Sequence, residues 1–342
     1  MTGALRPWTR EALAALPSDA TSWLRALGGP AAIRVPGRDR TRTRALTTLL
    51  HGNEPSGARA LHAWLRRAET PAVDALLLVC NVEAALAPPT FAHRTLPGRR
   101  DLNRCFLGPF DDRDGRLARE ILTALADARP EAVIDLHNNT GHNPPYGVGQ
   151  RTDRATLRLV SLFADRLVRS RLRLGALMEA LHDLPCATIE VGRSGDPAAD
   201  AVALSGLERF LARDDLFAGG GEPLVQVLEM PMRAELRPGV RLAVAEAPHG
   251  DADLTLLADL DRHNFERVAA GTAIGWCPDG RCPLVLRDER GADRSPEYFA
   301  AVGGRLRTTR PLVPIMITTD PEIAAADCLF YVVREGSGEG GA

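Results

Sequence analysis

The sequence has no lysine; its 42 basic side chains are all arginines, set against 44 acids for a formal charge of -2. The arginines are interspersed with acids along the whole chain. No basic stripe is present, so the charge pattern gives no support for a nucleic-acid partner. Nowhere do eighteen apolar residues run together, and the N-terminal residues lack an apolar signal region. The expectation is a soluble cytoplasmic protein without a membrane partner. The six cysteines (Cys80, Cys105, Cys186, Cys277, Cys282, Cys328) are scattered, as in a chain that keeps its thiols reduced. Cys277-Pro278-Asp279-Gly280-Arg281-Cys282 resembles half of a zinc site, but no second pair accompanies it, so it reads as a hairpin turn.

What is present is an ordinary globular composition. The 342 residues, 45% hydrophobic and 25% charged, suffice for a sizeable core in one large domain or two. Arg10 to Leu27 has helical spacing with Thr9 as a cap, and Gly28-Gly29-Pro30 stops it. Ile33 to Val35, Ala45 to Leu50 and Ala75 to Cys80 read as strands, with a helix over Ala58 to Arg67 between the last two. This β-α-β order predicts parallel pairing. Further helices are expected over Arg113 to Ala128, Arg154 to Arg169 and Pro197 to Ala212, and a strand over Ala132 to Leu136. Beyond Phe217-Ala218-Gly219-Gly220-Gly221 the texture changes to short strands separated by Gly, Pro and Asp turns. The expected division is residues 1 to 218 as an α/β domain with residues 1 to 30 as a helical extension, 222 to 334 as a β-rich domain, and 335 to 342 as a flexible tail.

The chemistry is concentrated where apolar strands end. Leu49-Leu50 breaks into His51-Gly52-Asn53-Glu54, placing an imidazole and a carboxylate in one turn at a strand's C-terminal end, where open α/β sheets keep their sites. Such a pair can hold two of the three protein positions of a catalytic zinc. Gly52 and Gly57 allow the close backbone path of that turn. Asp135-Leu136-His137-Asn138 repeats the arrangement after a later strand; Asp135 shares a strand face with His137 and could orient it. In Cys186-Ala187-Thr188-Ile189-Glu190-Val191-Gly192 a carboxylate sits among apolar and β-branched neighbours. Burying it is costly without a partner, so Glu190 is expected to be functional. The aperiodic stretch from residue 81 to 110 carries Arg99-Arg100-Asp101-Leu102-Asn103-Arg104, whose guanidiniums could clamp a carboxylate or an oxyanion.

The four signals His-Gly-Asn-Glu, Asp-Leu-Asn-Arg, Asp-Leu-His-Asn and Ile-Glu-Val-Gly, in that order, resemble the succinylglutamate desuccinylase/aspartoacylase family, relatives of the zinc carboxypeptidases. The resemblance spans roughly residues 44 to 335. It implies a zinc-carboxypeptidase-like α/β domain, with a mostly parallel or mixed central sheet flanked by helices, and a smaller C-terminal β-rich domain. It further implies one zinc per chain held by His51, Glu54 and His137, with Glu190 as general base. Asn103, Arg104 and Asn138 would face the substrate. An arginine ahead of Asp-Leu-Asn-Arg would polarise the scissile carbonyl; Arg99 is the candidate, and the spacing does not separate it from Arg94 or Arg100. The implied activity is hydrolysis of a small N-acyl amino acid or N-acyl amine, with a metallo-exopeptidase and a non-catalytic metal or metabolite binder as alternatives. A homo-oligomer is compatible with the sequence.

Two positions depart from the family pattern. Where aspartate-directed members carry a carboxylate-binding arginine, this chain reads Met178-Glu179-Ala180-Leu181-His182, and the expected C-terminal tyrosine is missing around Thr319-Asp320-Pro321. Glu179 is therefore expected to disfavour an acidic substrate and to meet a neutral or cationic one.

Overall fold

The computed structural model describes residues 5–9, 16–139, 141–219, 221, 223–321, 324 and 329–334. They divide into two compact units. The first comprises residues 1–138, 145–167 and 173–226, and the second 139–144, 168–172 and 227–342.

The first unit is built on one sheet. Its strands are β1 (Arg6–Thr9), β2 (Ala31–Val35), β3 (Asp39–Thr48), β4 (Val73–Val79), β5 (Ala132–Asn139), β6 (Tyr146–Gly149), β7 (Arg166–Arg169) and β8 (Cys186–Arg193). Their spatial order is β1-β2-β4-β3-β5-β8-β6-β7. β3 runs parallel to both β4 and β5, with Thr48 opposite Val79 and Leu136, whereas β2 is antiparallel to β4 and β6 to β8. The sheet is thus mixed around a parallel centre.

Helices cover both faces, which is why the central strands read as continuous apolar runs. On one face Leu46, Leu77, Val79 and Ile134 pack with α1 (Ala20–Leu27), α2 (Ser56–Arg66), α5 (Arg154–Val160) and α7 (Pro197–Ala212) through Trp23, Leu61, Leu159 and Leu207. On the other, Ala45, Leu76, Leu78 and Val133 meet Leu117, Ile121 and Leu125 of α4 (Arg113–Ala128). Each fully buried Leu or Val contributes about 1.5–3 kcal/mol, so this centre is a rigid platform. Two short helices complete the unit, α3 (Val82–Leu86) and α6 (Leu177–Ala180).

Several elements differ from the sequence reading. α1 starts at Ala20, where the Asp19 carboxylate accepts from Ser22 N. Thr9 instead lies in β1, and residues 10–15 fall outside the described residues. The helix expected over Arg154 to Arg169 stops at Val160, and Arg166–Arg169 forms β7 with Leu167 and Val168 buried. Strand pairing at the sheet overrides the helical spacing there. The aperiodic stretch 81–110 holds α3 and a 3-10 turn at Leu102–Arg104.

The second unit is β-rich. β9 (Gln226–Leu236) is flanked by β13 (Leu284–Arg287) and β17 (Phe330–Arg334), with β16 (Val313–Ile315) beyond β17. A separate sheet runs in the order β10 (Leu242–Ala245), β11 (Leu254–Leu257), β12 (Ala273–Trp276), β15 (Arg305–Thr308), β14 (Phe299–Val302). The one-turn helix α8 (Ser295–Tyr298) leads into β14. Met232, Leu254, Leu256, Leu286, Leu306 and Phe330 form the core. Contacts divide the chain at residue 226, past the triple-glycine segment, and residues 139–144 and 168–172 join this unit. Side-chain amides account for the first of these: Asn264 donates to the His142 carbonyl (3.2 Å), and Asn143 Oδ1 accepts from Met316 N (3.1 Å). The tail from residue 335 and Cys328 lie outside the described residues. Among the described residues no helix is long and apolar enough to cross a membrane.

Candidate metal centre and active site

Because β3 and β5 are parallel neighbours in register, the chain segments leaving their C-terminal ends emerge side by side. After β3 the chain turns through Leu49, which adopts φ 56°, and His51 and Glu54 follow within the turn. Glycine is required twice here. A Cβ on Gly52 would lie 2.5 Å from Ala85 N, and one on Gly57 2.2 Å from Thr48 Oγ1, so α3 and the start of α2 press against the turn at backbone distance. The Ser194 hydroxyl, just past β8, donates to the Asn53 carbonyl at 2.7 Å.

His51, Glu54 and His137 are buried and come together, each offering a ligand atom within 4.8 Å of the others. Glu54 lies between the rings, with Oε1 2.8 Å from His51 Nδ1 and Oε2 2.7 Å from His137 Nδ1. The opposite nitrogens face two further carboxylates: His51 Nε2 lies 2.9 Å from Asp101 Oδ1, and His137 Nε2 2.7 Å from Asp135 Oδ2. Ionised carboxylates only accept, so Asp101 and Asp135 hold the two Nε2 atoms as donors and leave both Nδ1 atoms facing the Glu54 carboxylate, where a divalent cation would take them. The donor set therefore fits zinc or a similar divalent ion.

The charges are strongly coupled. Burial pushes the Glu54 carboxyl up, but His51 and His137 more than offset this and hold it well below the usual carboxylate range. For His137, burial pulls the imidazole down and Asp135 with Glu54 more than reverses it, leaving the ring well above an ordinary histidine. Asp101 follows Glu54: burial raises it, and His51, Arg94 and Arg104 bring it well below the usual range.

Glu190 sits in β8, buried, with Oε2 lacking a hydrogen-bond partner among the described residues. Burial pushes its carboxyl up to about 8; His137 and Arg94 oppose the shift, and Glu54 and Asp135 add to it. Tyr146, fully buried on β6, stands opposite Glu190 in the strand register and so on the same sheet face.

The remaining expected residues are distributed differently. Among the three arginine candidates, Arg94 reaches the centre, with NH1 3.8 Å from Glu54 Oε1 and NH2 2.9 Å from Asp101 Oδ2. Arg99 is held away from it, pairing with Asp114 and lying 3.6 Å from Glu83, and Arg100 pairs with Asp112 at 3.0 Å. Asn103 is buried with Oδ1 accepting from Leu177 N (3.0 Å), so it anchors α6, and Arg104 donates to the Asn103 carbonyl at 3.0 Å. The Asn138 side chain bonds Ser56 N, Ser56 Oγ and the Gly192 carbonyl at 2.9–3.0 Å, while its backbone N–H donates to Glu54 Oε2 at 3.3 Å. It steadies the Glu54 turn and has little left for a substrate. Glu179 is a correction of the same kind. It is buried, and its carboxylate accepts from the Leu174 and Gly175 amides at 2.9–3.0 Å. Those backbone donors occupy its oxygens, so it is not displayed to select a cationic substrate.

Residues 40–171 match the sequence model of the family described as "Succinylglutamate desuccinylase/Aspartoacylase catalytic domain". Residues 40–171 of this chain are thus similar to that catalytic domain. The matched segment contains His51, Glu54, Asp101 and His137. No curated protein matches the chain. Among solved structures, a succinylglutamate desuccinylase/aspartoacylase from Rhodobacter sphaeroides is similar at 16% identity and TM-score 0.58, over 90% of this chain and 88% of that one. The succinylglutamate desuccinylase from Chromobacterium violaceum is similar at 14% identity and TM-score 0.57, over 94% and 100%. Murine aminoacylase 3 is similar at 19% identity and TM-score 0.52, over 87% and 96%. At these identities the structural likeness speaks for the fold alone.

Proposed function

We propose that the protein is a zinc-dependent hydrolase that cleaves the amide bond of a small N-acyl amino acid or N-acyl amine. The observation that carries this reading is the convergence of three buried donors, His51, Glu54 and His137, within 4.8 Å, beside a buried carboxyl at Glu190 whose Oε2 has no hydrogen-bond partner among the described residues. A binding site alone has no use for that fourth carboxyl.

His51 Nδ1, His137 Nδ1 and a Glu54 oxygen would hold the ion. A cation there supplies the Lewis acidity that makes water a nucleophile near neutral pH and polarises a carbonyl. The chain's own residues do the rest. Glu190 accepts the proton of the attacking water and returns it to the departing amine nitrogen. Arg94, with its guanidinium at the edge of the centre, is the donor aimed at the developing oxyanion, the role first considered for Arg99. Asp101 and Asp135 orient the two imidazoles. Arg104 and Asn103, beside Asp101 in the same loop, would face the rest of the substrate.

The test is metal content of the purified protein together with hydrolysis of a panel of N-acyl amino acids, N-acyl amines and short peptides, for wild type and Glu190→Ala. About one zinc per chain in both proteins, with amide turnover in wild type alone, supports the proposal. Turnover restricted to peptides points to an exopeptidase. Failure to bind metal under metal-replete conditions sinks the hydrolase reading.

A further inference from the structure

We propose that Asp101 is a positioning residue that sets His51 and Arg94 together, so that one carboxylate couples a metal ligand to the carbonyl-facing guanidinium. This rests on the hydrolase reading above for its catalytic consequence, though its structural part can be tested without turnover.

The two carboxylates behind the imidazoles are not equivalent. Asp135 is fully buried on β5, and its oxygens serve His137 Nε2 at 2.7 Å and the Thr47 hydroxyl at 2.5 Å. It touches the centre only through His137. Asp101 sits in the loop just ahead of the Leu102–Arg104 turn with its side chain 20% exposed. All four of its lone-pair positions are taken. Oδ1 accepts from His51 Nε2 (2.9 Å) and Asn103 N (2.8 Å); Oδ2 accepts from Arg94 NH2 (2.9 Å) and Arg94 Nε (3.1 Å). Arg94 NH1 approaches Glu54 Oε1 at 3.8 Å, and that same oxygen lies 2.8 Å from His51 Nδ1. Asp101, His51, Glu54 and Arg94 therefore form a closed ring. Its backbone is pinned as well, since Gly52 N donates to the Arg94 carbonyl at 3.0 Å.

The coupling follows from the donor inventory. In Asp101→Asn one oxygen becomes an NH2 group, which only donates. Placed at Oδ2 it faces two Arg94 N–H groups and expels the guanidinium. Placed at Oδ1 it faces Asn103 N–H and makes His51 Nε2 the acceptor, which puts the proton on Nδ1 and blocks that nitrogen as a ligand. Keeping the Asn103 bond favours the first arrangement. Either way one side of the bridge is lost, and because Arg94 NH1 and His51 Nδ1 also meet at Glu54 Oε1, the ring opens and the other member shifts with it, whereas Asp135→Asn reaches the centre through His137 alone.

The experiment uses the full chain, with Asp101→Asn, Arg94→Ala, the double variant and Asp135→Asn. The expected result has three parts. Zinc affinity of Asp101→Asn falls about 10–100-fold. At saturating zinc its kcat stays about 10²–10³-fold below wild type, as for Arg94→Ala, and the double variant is within a few-fold of the worse single variant. In 15N NMR of the metal-free protein, the Arg94 Nε and His51 ring signals both move in Asp101→Asn, and only the His137 ring signals move in Asp135→Asn. Recovery of wild-type kcat at saturating zinc, or multiplicative loss in the double variant, overturns the proposal. So does an unmoved Arg94 Nε signal, whatever the activity. A wild type that binds no metal and turns over no amide sinks the hydrolase reading and leaves the NMR result to decide the coupling. If Asp101→Asn does not fold, Arg94→Ala reads the ring from the other side and must move the His51 ring signals; unmoved signals overturn the proposal.

Discussion

His137 Nδ1 lies 2.7 Å from the Glu54 carboxylate, two residues brought together by the parallel pairing of β3 with β5. Removing Glu54 takes away the only acid among the three clustered donors. Glu54→Ala is expected to abolish stoichiometric zinc binding. Wild type should gain about 2.7 kcal/mol of stability at a zinc concentration 100 times Kd, and the variant none. Thermal unfolding with and without zinc measures both; an equal zinc response in the variant would place the ion elsewhere.

Glu190→Gln keeps the shape of the side chain and removes the base. Turnover should fall about 10²–10⁴-fold while bound zinc stays at wild-type stoichiometry, since Glu190 is not among the three donors. Steady-state kinetics and metal analysis on the same preparation check it.

The same variant tests the electrostatics of the metal-free protein. Burial raises the Glu190 carboxyl from an ordinary 4.5 to about 8 in the folded state. A carboxyl raised on folding stays protonated in the native state while the unfolded chain ionises. Its contribution is therefore neutral below about pH 4.5 and increasingly destabilising as pH rises to about 8. Metal-free Glu190→Gln should match wild type near pH 4 and exceed it by a gap that widens toward pH 8, on the order of a few kcal/mol. Denaturant unfolding across this range decides it; a gap that narrows with pH would mean that Glu190 is ionised in the native state.

Arg94 and Arg99 separate by geometry. Arg94→Ala should lower kcat by about 10²–10³-fold with zinc retained. Arg99→Ala deprives buried Asp114 of its guanidinium partner, leaving it the Arg100 amide, and should cost about 1–3 kcal/mol of stability with kcat changed only a few-fold. Reversal of the two phenotypes would return the carbonyl-facing role to Arg99.

Glu179→Gln should leave substrate preference unchanged and cost about 1–3 kcal/mol, because its oxygens satisfy the Leu174 and Gly175 amides. A changed ratio of kcat/KM between acidic and neutral N-acyl substrates would restore Glu179 to a selecting role.

The sequence by itself determined the frame. Apolar runs over Ala45 to Leu50, Ala75 to Cys80 and Ala132 to Leu136 identified strands buried on both faces, and abrupt polar residues at their ends located His51, Glu54 and His137. A carboxylate inside an apolar strand singled out Glu190, because burying it unpaired is costly. These signals are local and survive in one dimension. What only the tertiary structure decided depends on which distant groups share a neighbourhood. Whether Arg94 or Arg99 faces the centre turns on the competing pull of Asp101 against Asp114 and Glu83. Asn138 and Glu179 looked like substrate contacts until their acceptors proved to be satisfied by Ser56 and by the Leu174 and Gly175 amides. Arg166–Arg169 became a strand because it pairs within the sheet, which its spacing does not record. Residue type can announce a charge, but the partner that neutralises or aims it is fixed only when the chain has packed.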